Sequence, residues 1–288
     1  MQTTLFKNDK RAESAPLAPK EAHGIGEFFA DLFARYCEML DRHATEMESL
    51  ASLERNSCPC VEYIDAINAV SEHSVNNDKL ETARRIRDRL VHHASKVFAP
   101  AGTPLKIETR DLDDPFFIEK GSLESFDPVR LWRLLEEKYG GRAGVDEAWR
   151  QAAQKIIYSF NLRKDSEVKH RGNFLVLDHR VYIDSIDKKF YKENRLHYNC
   201  REELQKVLIC LSSFAQWCGR DLLAIDLKRL SEQYLGYGKE AIESHKQHLC
   251  GEGEFAMVTF TTRFEFRFRR DVGEQLQQFL GLYGTCRD

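Results

Sequence analysis

The residues Phe264-Glu265-Phe266-Arg267-Phe268-Arg269 alternate strictly between phenylalanine and a charged side chain. Successive side chains of an extended strand point to opposite faces, so this pattern sends three phenylalanines into a core and Glu265, Arg267 and Arg269 to the other side. The chain therefore has to build a sheet with one covered face. Glu254 to Thr261 supplies the natural partner strand, and a closing helix is expected from Val272 to Leu282.

Upstream the period changes to that of helices. From Ile25 the apolar residues recur as Phe29, Leu32, Tyr36 and Met39, with Met47 and Leu50 further along, which predicts a long amphipathic helix ending near Arg55. A second helix is expected from Val61 to His73, with Ile64, Ile67 and Val70 on one stripe. A third is expected from Lys79 to Phe98, where Leu80, Ala83, Ile86, Leu90, Ala94 and Val97 repeat at threes and fours. Helices of this kind must hide their stripes against one another, so an antiparallel hairpin or bundle follows. Residues 1–22 lack periodicity and read as a flexible lead, 23–99 as the helical bundle. Pro100-Ala101-Gly102-Thr103-Pro104 breaks the pattern and marks the linker to an α+β domain at 105–288.

Within that domain Leu105 to Thr109 reads as a short strand. Asp127-Pro128 starts a helix, Asp as cap and Pro at the first helical position, and Gly140-Gly141 ends it. Another helix is expected from Val145 to Phe160. Phe174 to Leu177 and Val181 to Ile183, separated by Asp178-His179-Arg180, read as a hairpin. Arg201 to Cys218 is a helix with Leu204, Val207, Leu208, Leu211, Phe214 and Ala215 on its buried face and Gly219 at its stop; one more spans Leu222 to Leu235. The fold class is α+β: an N-terminal helical hairpin or bundle, then a mixed domain with antiparallel β-hairpins packed on helices.

Composition narrows the function classes. Hydrophobic residues make up 42% and charged residues 31% of 288, enough apolar material for a core. The net charge of −3 gives no whole-molecule attraction to phosphate, so any DNA or RNA contact has to come from a local patch. No apolar run is long enough to cross a bilayer, and Met1 to Pro19 do not look like a secretory leader, so no membrane partner and a cytoplasmic location are expected. The eight cysteines are irregularly spaced, several on apolar helix faces, which fits reduced thiols.

Two catalytic arrangements and one binding surface come out of the residues. Arg87-Asp88-Arg89-Leu90-Val91-His92 places a histidine five positions after an arginine on a helix. His92 would serve as general base or acid on a ribose 2′-hydroxyl and Arg87 would stabilise the charge on the phosphorane; against this, a chain with ten histidines and many arginines shows such a pair by chance. Asp178, Asp184, Asp187 and Lys189 have the skeleton of a metal-dependent nuclease, although turns are rich in Asp for local reasons. Basic and aromatic residues interleave at Lys164 to Arg171, Lys188 to Arg195 and Arg263 to Arg270. If these share a face, Lys169, Arg171, Arg267 and Arg269 follow a phosphate backbone, with Tyr191 or His170 stacking on bases. The bland alternative is a solvated sheet face. Cys58-Pro59-Cys60 and His245, His248 and Cys250 lack the spacing of a zinc site, and no glycine-rich phosphate loop occurs, so neither a metal nor a cofactor is expected.

The Arg87 and His92 pair resembles the motif of the HEPN family, which includes RNA-cleaving toxins. From Phe126 onward the order of features is similar to a bacterial and phage family known as domain of unknown function 4942. Arg130-Leu131-Trp132-Arg133-Leu134-Leu135, Ile156 to Asn161, Arg171-Gly172-Asn173-Phe174, Glu203-Leu204-Gln205-Lys206 and the aromatic hairpin Phe255 to Phe268 carry that resemblance. The family's Phe-Lys-Asn-Gly turn is replaced here by Phe260-Thr261-Thr262-Arg263. The second resemblance implies a phage, plasmid or integrative element and brings no catalytic residues. The sequence thus points to a non-enzymatic accessory protein of a mobile genetic element that binds nucleic acid or a protein handling it. Its N-terminal helices are available for self-association or a protein partner. The alternatives are an RNase toxin of the HEPN type and a metal-dependent nuclease. An RNase is expected to lose cellular toxicity on Arg87→Ala or His92→Ala and to need no metal. A nuclease is expected to respond to EDTA, and a binding module to show affinity for DNA or RNA that falls with salt and ignores both substitutions.

Overall fold

The computed structural model describes residues 24–57, 72–108, 126–162, 169–183, 189, 194–233 and 242–284. They divide into two compact units: 24–98 with 107–141, and 99–106 with the chain from Arg142 on. The fold is α+β, with an N-terminal helical region and a five-stranded antiparallel sheet in the C-terminal half. Among the described residues no helix is long and apolar enough to cross a membrane.

The helical unit contains α1 (Ile25–Ser57), α2 (Glu72–Val97) and α3 (Pro128–Tyr139), each packed on the other two. Asp127 caps α3 as its sequence suggests: its carboxylate accepts from the backbone N–H of Val129 at 2.9 Å and of Arg130 at 3.1 Å. The apolar stripe of α3, Leu131, Trp132 and Leu135, is buried. Trp132 stacks on Phe98 at 5.4 Å and meets His93 at 5.8 Å. Gly26 lets α1 come close, since a Cβ there would stand 3.0 Å from Val129 Cα. Thus α3, read from sequence as the first helix after the linker, packs with α1 and α2. The Pro-Gly linker marks where the chain leaves this unit, but nothing in the composition marks its return.

A second difference concerns α1. The stripe expected to be buried is so only in part: Ile25, Phe29, Leu32 and Met47 are half-buried, whereas Tyr36, Met39 and Leu50 are 40%, 55% and 50% exposed. The inward face is instead Gly26, Phe33, Cys37, Leu40, Ala44, Met47 and Ala51, all half-buried or buried, with Phe33 edge-on to Phe126 at 5.1 Å. Both sets repeat at threes and fours, so spacing alone could not choose between them. The helix expected at 61–73 falls almost wholly outside the described residues, and α2 begins at Glu72.

The second unit contains α4 (Arg142–Ser159), β1 (Lys169–Arg171), β2 (Phe174–Arg180), α5 (Tyr198–Trp217), α6 (Asp221–Gln233), β3 (Gln247–Cys250), β4 (Phe255–Thr259), β5 (Arg263–Arg269) and α7 (Arg270–Tyr283). The strand order is β1-β2-β5-β4-β3. Phe264, Phe266 and Phe268 are fully buried, as the alternation requires. Register places Leu175 opposite Phe268, Leu177 opposite Phe266 and Met257 on the other side of Phe266. Phe160 packs on Phe266 and Phe255 on Phe268, both at 5.0 Å. One apolar cluster joins this inner face to α4, α5, α6 and α7.

Two local expectations change. The hairpin of Phe174–Leu177 with Val181–Ile183 does not form. β2 runs on through Asp178-His179-Arg180, because His179 continues the inward alternation opposite Phe264 and is only 5% exposed. Ile183 makes one isolated bridge to Leu196, and β2 instead turns at Gly172-Asn173 onto β1. Leu105 to Glu108 is not a strand: Leu105 and Ile107 alternate inward, but the backbone N–H and C=O of Lys106 both bond at 2.8 Å to the side-chain amide of Gln151.

Phe266→Ala empties the centre of this core and is expected to cost about 3–5 kcal/mol. A lower urea midpoint with an unchanged slope, against little change for the exposed Phe28→Ala, would report it.

Candidate nucleic-acid interface

The outer sheet face is built by the same alternation that builds the core. On β5, Arg263, Glu265, Arg267 and Arg269 face outward; register sets Arg180 opposite Arg263, Asp178 opposite Glu265 and Val176 opposite Arg267. β1 adds Lys169 opposite Val176 and Arg171 opposite Phe174. Like charges directly opposite each other destabilise a sheet, and two such pairs sit side by side here, Arg180 with Arg263 and Asp178 with Glu265. Diagonal contacts relieve them.

Glu265 is the hub, at 2% exposure. It accepts from Arg171 Nη1 at 3.1 Å, from Arg263 Nη2 at 3.1 Å, and from Arg267 Nη2 and Nε at 2.7 and 3.2 Å. Lys169 Nζ reaches Asp178 at 2.6 Å, and Arg263 lies 3.9 Å from the same carboxylate while its guanidinium sits over the Phe260 ring at 4.9 Å. Burial raises the Glu265 carboxyl, but the hydrogen bonds from Arg267 and Arg263 and the charge of Arg171 more than offset this. The group is held below the usual carboxylate range. Four cations, Lys169, Arg171, Arg263 and Arg267, thus surround two carboxylates, an excess of positive charge that the exposed Arg180 extends. Side chains of Lys169 and Arg171 are 71% and 62% exposed, so most of their donors face solvent.

Of the four residues expected to follow a phosphate backbone, the fold brings Lys169, Arg171 and Arg267 together. It gives Arg269 another task. Its guanidinium is gripped by Asp271 at 2.7 and 2.8 Å and by Glu254 at 3.1 Å. Arg220 bonds the same two carboxylates and reaches Gln275 at 2.8 Å. Two arginines and two carboxylates neutralise one another there, and the knot ties the α5–α6 connection to β4, β5 and α7. Asp271 is held well below its ordinary range by the hydrogen bond from Arg269, with Arg220 adding to it. His170 is exposed on β1, and Tyr191 lies outside the described residues. Arg263, Arg180 and the hub role of Glu265 were missed by the sequence reading. The outward positions of β5 were the signal for the first and last, while Arg180 was hidden by reading its segment as a turn.

The catalytic alternatives gain no geometry. Arg87 and His92 lie on α2, where five positions turn the helix by about 140° from the starting face. Arg87 is mostly covered and pairs with Asp88 at 3.0 Å, whereas His92 is exposed. Asp184 and Asp187 lie outside the described residues, Lys189 is exposed, and Asp178 is engaged by Lys169. Among the described residues no group of three His, Cys, Asp or Glu could hold a metal ion. Burial pushes the thiols of Cys210, Cys218 and Cys250 up to about 12, which keeps them protonated and unreactive near neutral pH.

Comparison with protein-family models, curated proteins and solved structures gave no match, so the interface rests on its own geometry.

The lowered Glu265 carboxyl sets a pH dependence. Its ordinary value is 4.5 and its folded value lies below that, so its stabilisation is complete above pH 4.5 and is lost as pH falls through the folded value. Glu265→Gln is expected to flatten the acid side of the stability curve relative to the parent chain. Parallel acid limbs in urea midpoints for the two proteins would contradict the ion-pair hub.

Proposed function

We propose that the chain is a non-catalytic nucleic-acid-binding protein whose outer sheet face holds a phosphate backbone through Lys169, Arg171, Arg180, Arg263 and Arg267. The observation that carries this reading is the convergence of three guanidinium groups on one buried carboxylate, Glu265. A single carboxylate orients the arginines without neutralising them. Each guanidinium has five donors in a fixed fork, and those not directed at Glu265 are left for an anion at little further entropic cost. The local excess of positive charge explains how a chain with a net charge of −3 would still attract a polyanion. The central outer positions Val176, Ala256 and Val258 are aliphatic or small and buried, and the aromatic Phe174 sits half-buried at the edge of the face between Arg171 and Arg269, so the centre favours backbone contact over base readout. The setting we propose, an accessory protein of a mobile genetic element, rests on the order of sequence features from Phe126 onward alone.

Fluorescence anisotropy with DNA and RNA oligonucleotides over a series of salt concentrations tests the reading. Affinity is expected to fall steeply with salt, and Arg171→Ala and Arg263→Ala each to lower the salt slope by about 1. Arg269→Ala is expected to lower stability and leave that slope unchanged. No binding at low salt, or a slope that ignores Arg171 and Arg263, would remove the proposal.

A further inference from the structure

The exposed stripe of α1 is a second seam beside the one that holds the helical unit together. Phe29, Leu32, Tyr36, Met39, Leu50 and Leu53 lie on one line of alternating steps of three and four that also passes through positions 43 and 46. Steps of this kind keep side chains on one line of a helix that wraps against another. Phe29 and Leu32 are half-buried, while Leu50 and Leu53 are 50% and 62% exposed. His43 and Glu46, both exposed, fill the two positions the repeat leaves between Met39 and Leu50. Single exposed apolar residues are ordinary; a line of six along one 33-residue helix is a contact surface.

We infer that this stripe pairs with itself in a second copy of the chain, the two α1 helices running antiparallel about a twofold axis near residue 41. The stripe is matched to itself under that rotation. Phe29 falls on Leu53 of the second copy and Leu32 on Leu50, so apolar groups close both ends. The two polar positions find partners as well: Glu46 falls beside Tyr36 and Arg35 of the other copy, and Met39 beside His43. Arg42 stays paired with Glu38 of its own helix. A parallel pairing would instead stack Glu46 on Glu46 and His43 on His43. The stretch from Phe29 to Leu53 is about 36 Å long, and two helices in contact over that length bury on the order of 1,000 Å². That lies at the weak end for specific association, so a concentration-dependent dimer is expected. The pairing involves only α1 and is independent of the sheet face.

Light scattering coupled to size exclusion, with the full chain at rising concentration, measures the association. A mass that rises from one copy to two is expected. Leu50→Glu with Leu53→Glu changes exposed positions only; it is expected to weaken association at least tenfold with unchanged circular dichroism. The register is tested by charge exchange: Glu46→Arg weakens the dimer, and adding Arg35→Glu restores it. A chain that stays monomeric at high micromolar concentration overturns the inference. So does a dimer indifferent to the Leu50 and Leu53 changes, or a charge exchange without rescue, which would point to another partner or another register.

Discussion

Burial of the β5 phenylalanines governs the sheet unit, and the charged face is its consequence. Side chains alternate with a period of two, so fixing Phe264, Phe266 and Phe268 inward fixes Arg263, Glu265, Arg267 and Arg269 outward. A slip of one residue would drive the arginines into an apolar core and expose the rings. The register is therefore held by the hydrophobic effect, and the geometry of the outer charges inherits that rigidity. α7 closes over the same core, with Gly273 lacking the Cβ that would stand 2.9 Å from Leu175 Cβ.

Within the outward set, position decides between structure and surface. Arg269 ends its strand beside the first turn of α7, where Asp271 and Glu254 meet it together with Arg220, and the four charges cancel. Arg267 and Arg263 lie further along, with Glu265 between them and Arg171 arriving from β1. A buried carboxylate is stable there only because several donors replace its lost water. The same donors keep the local charge positive. Orientation by a shared counter-ion, without neutralisation, separates this patch from the other ion pairs of the chain, many of which are exposed steps of three or four residues on single helices and contribute little.

The helical unit follows a different logic. α1 carries two apolar lines offset by one residue, about 100° or rather more than a quarter of a turn apart. The line with small residues, Gly26, Ala44 and Ala51, faces α2 and α3 because it allows backbones to approach. The bulkier line with Tyr36 and Met39 is left outside. Periodicity reports that a helix has an apolar face; the sizes of the residues and the shape of the neighbours decide which of two such faces is covered.

Local chemistry was enough to read the α+β class, the capped start of α3, the helix of α5 with its stop at Gly219, and the final hairpin and helix, because caps, periods and turns act over a few residues. The same reading lost β2 beyond Leu177, since Asp178-His179-Arg180 looks like a turn until β5 lies beside it. It grouped α3 with the sheet, since a chain's return to an earlier unit leaves no compositional mark. By pattern Arg267 and Arg269 are equivalent, since both are outward arginines on one strand. Only the packed fold separates them, by bringing residues far apart in the chain, Arg171 with Glu265 and Arg220 with Asp271, within hydrogen-bond reach. On β5 the sequence by itself determined which side chains leave the core. Tertiary structure decided what they meet, because electrostatic and hydrogen-bond partners are set by distance in space, and no short-range pattern encodes that distance.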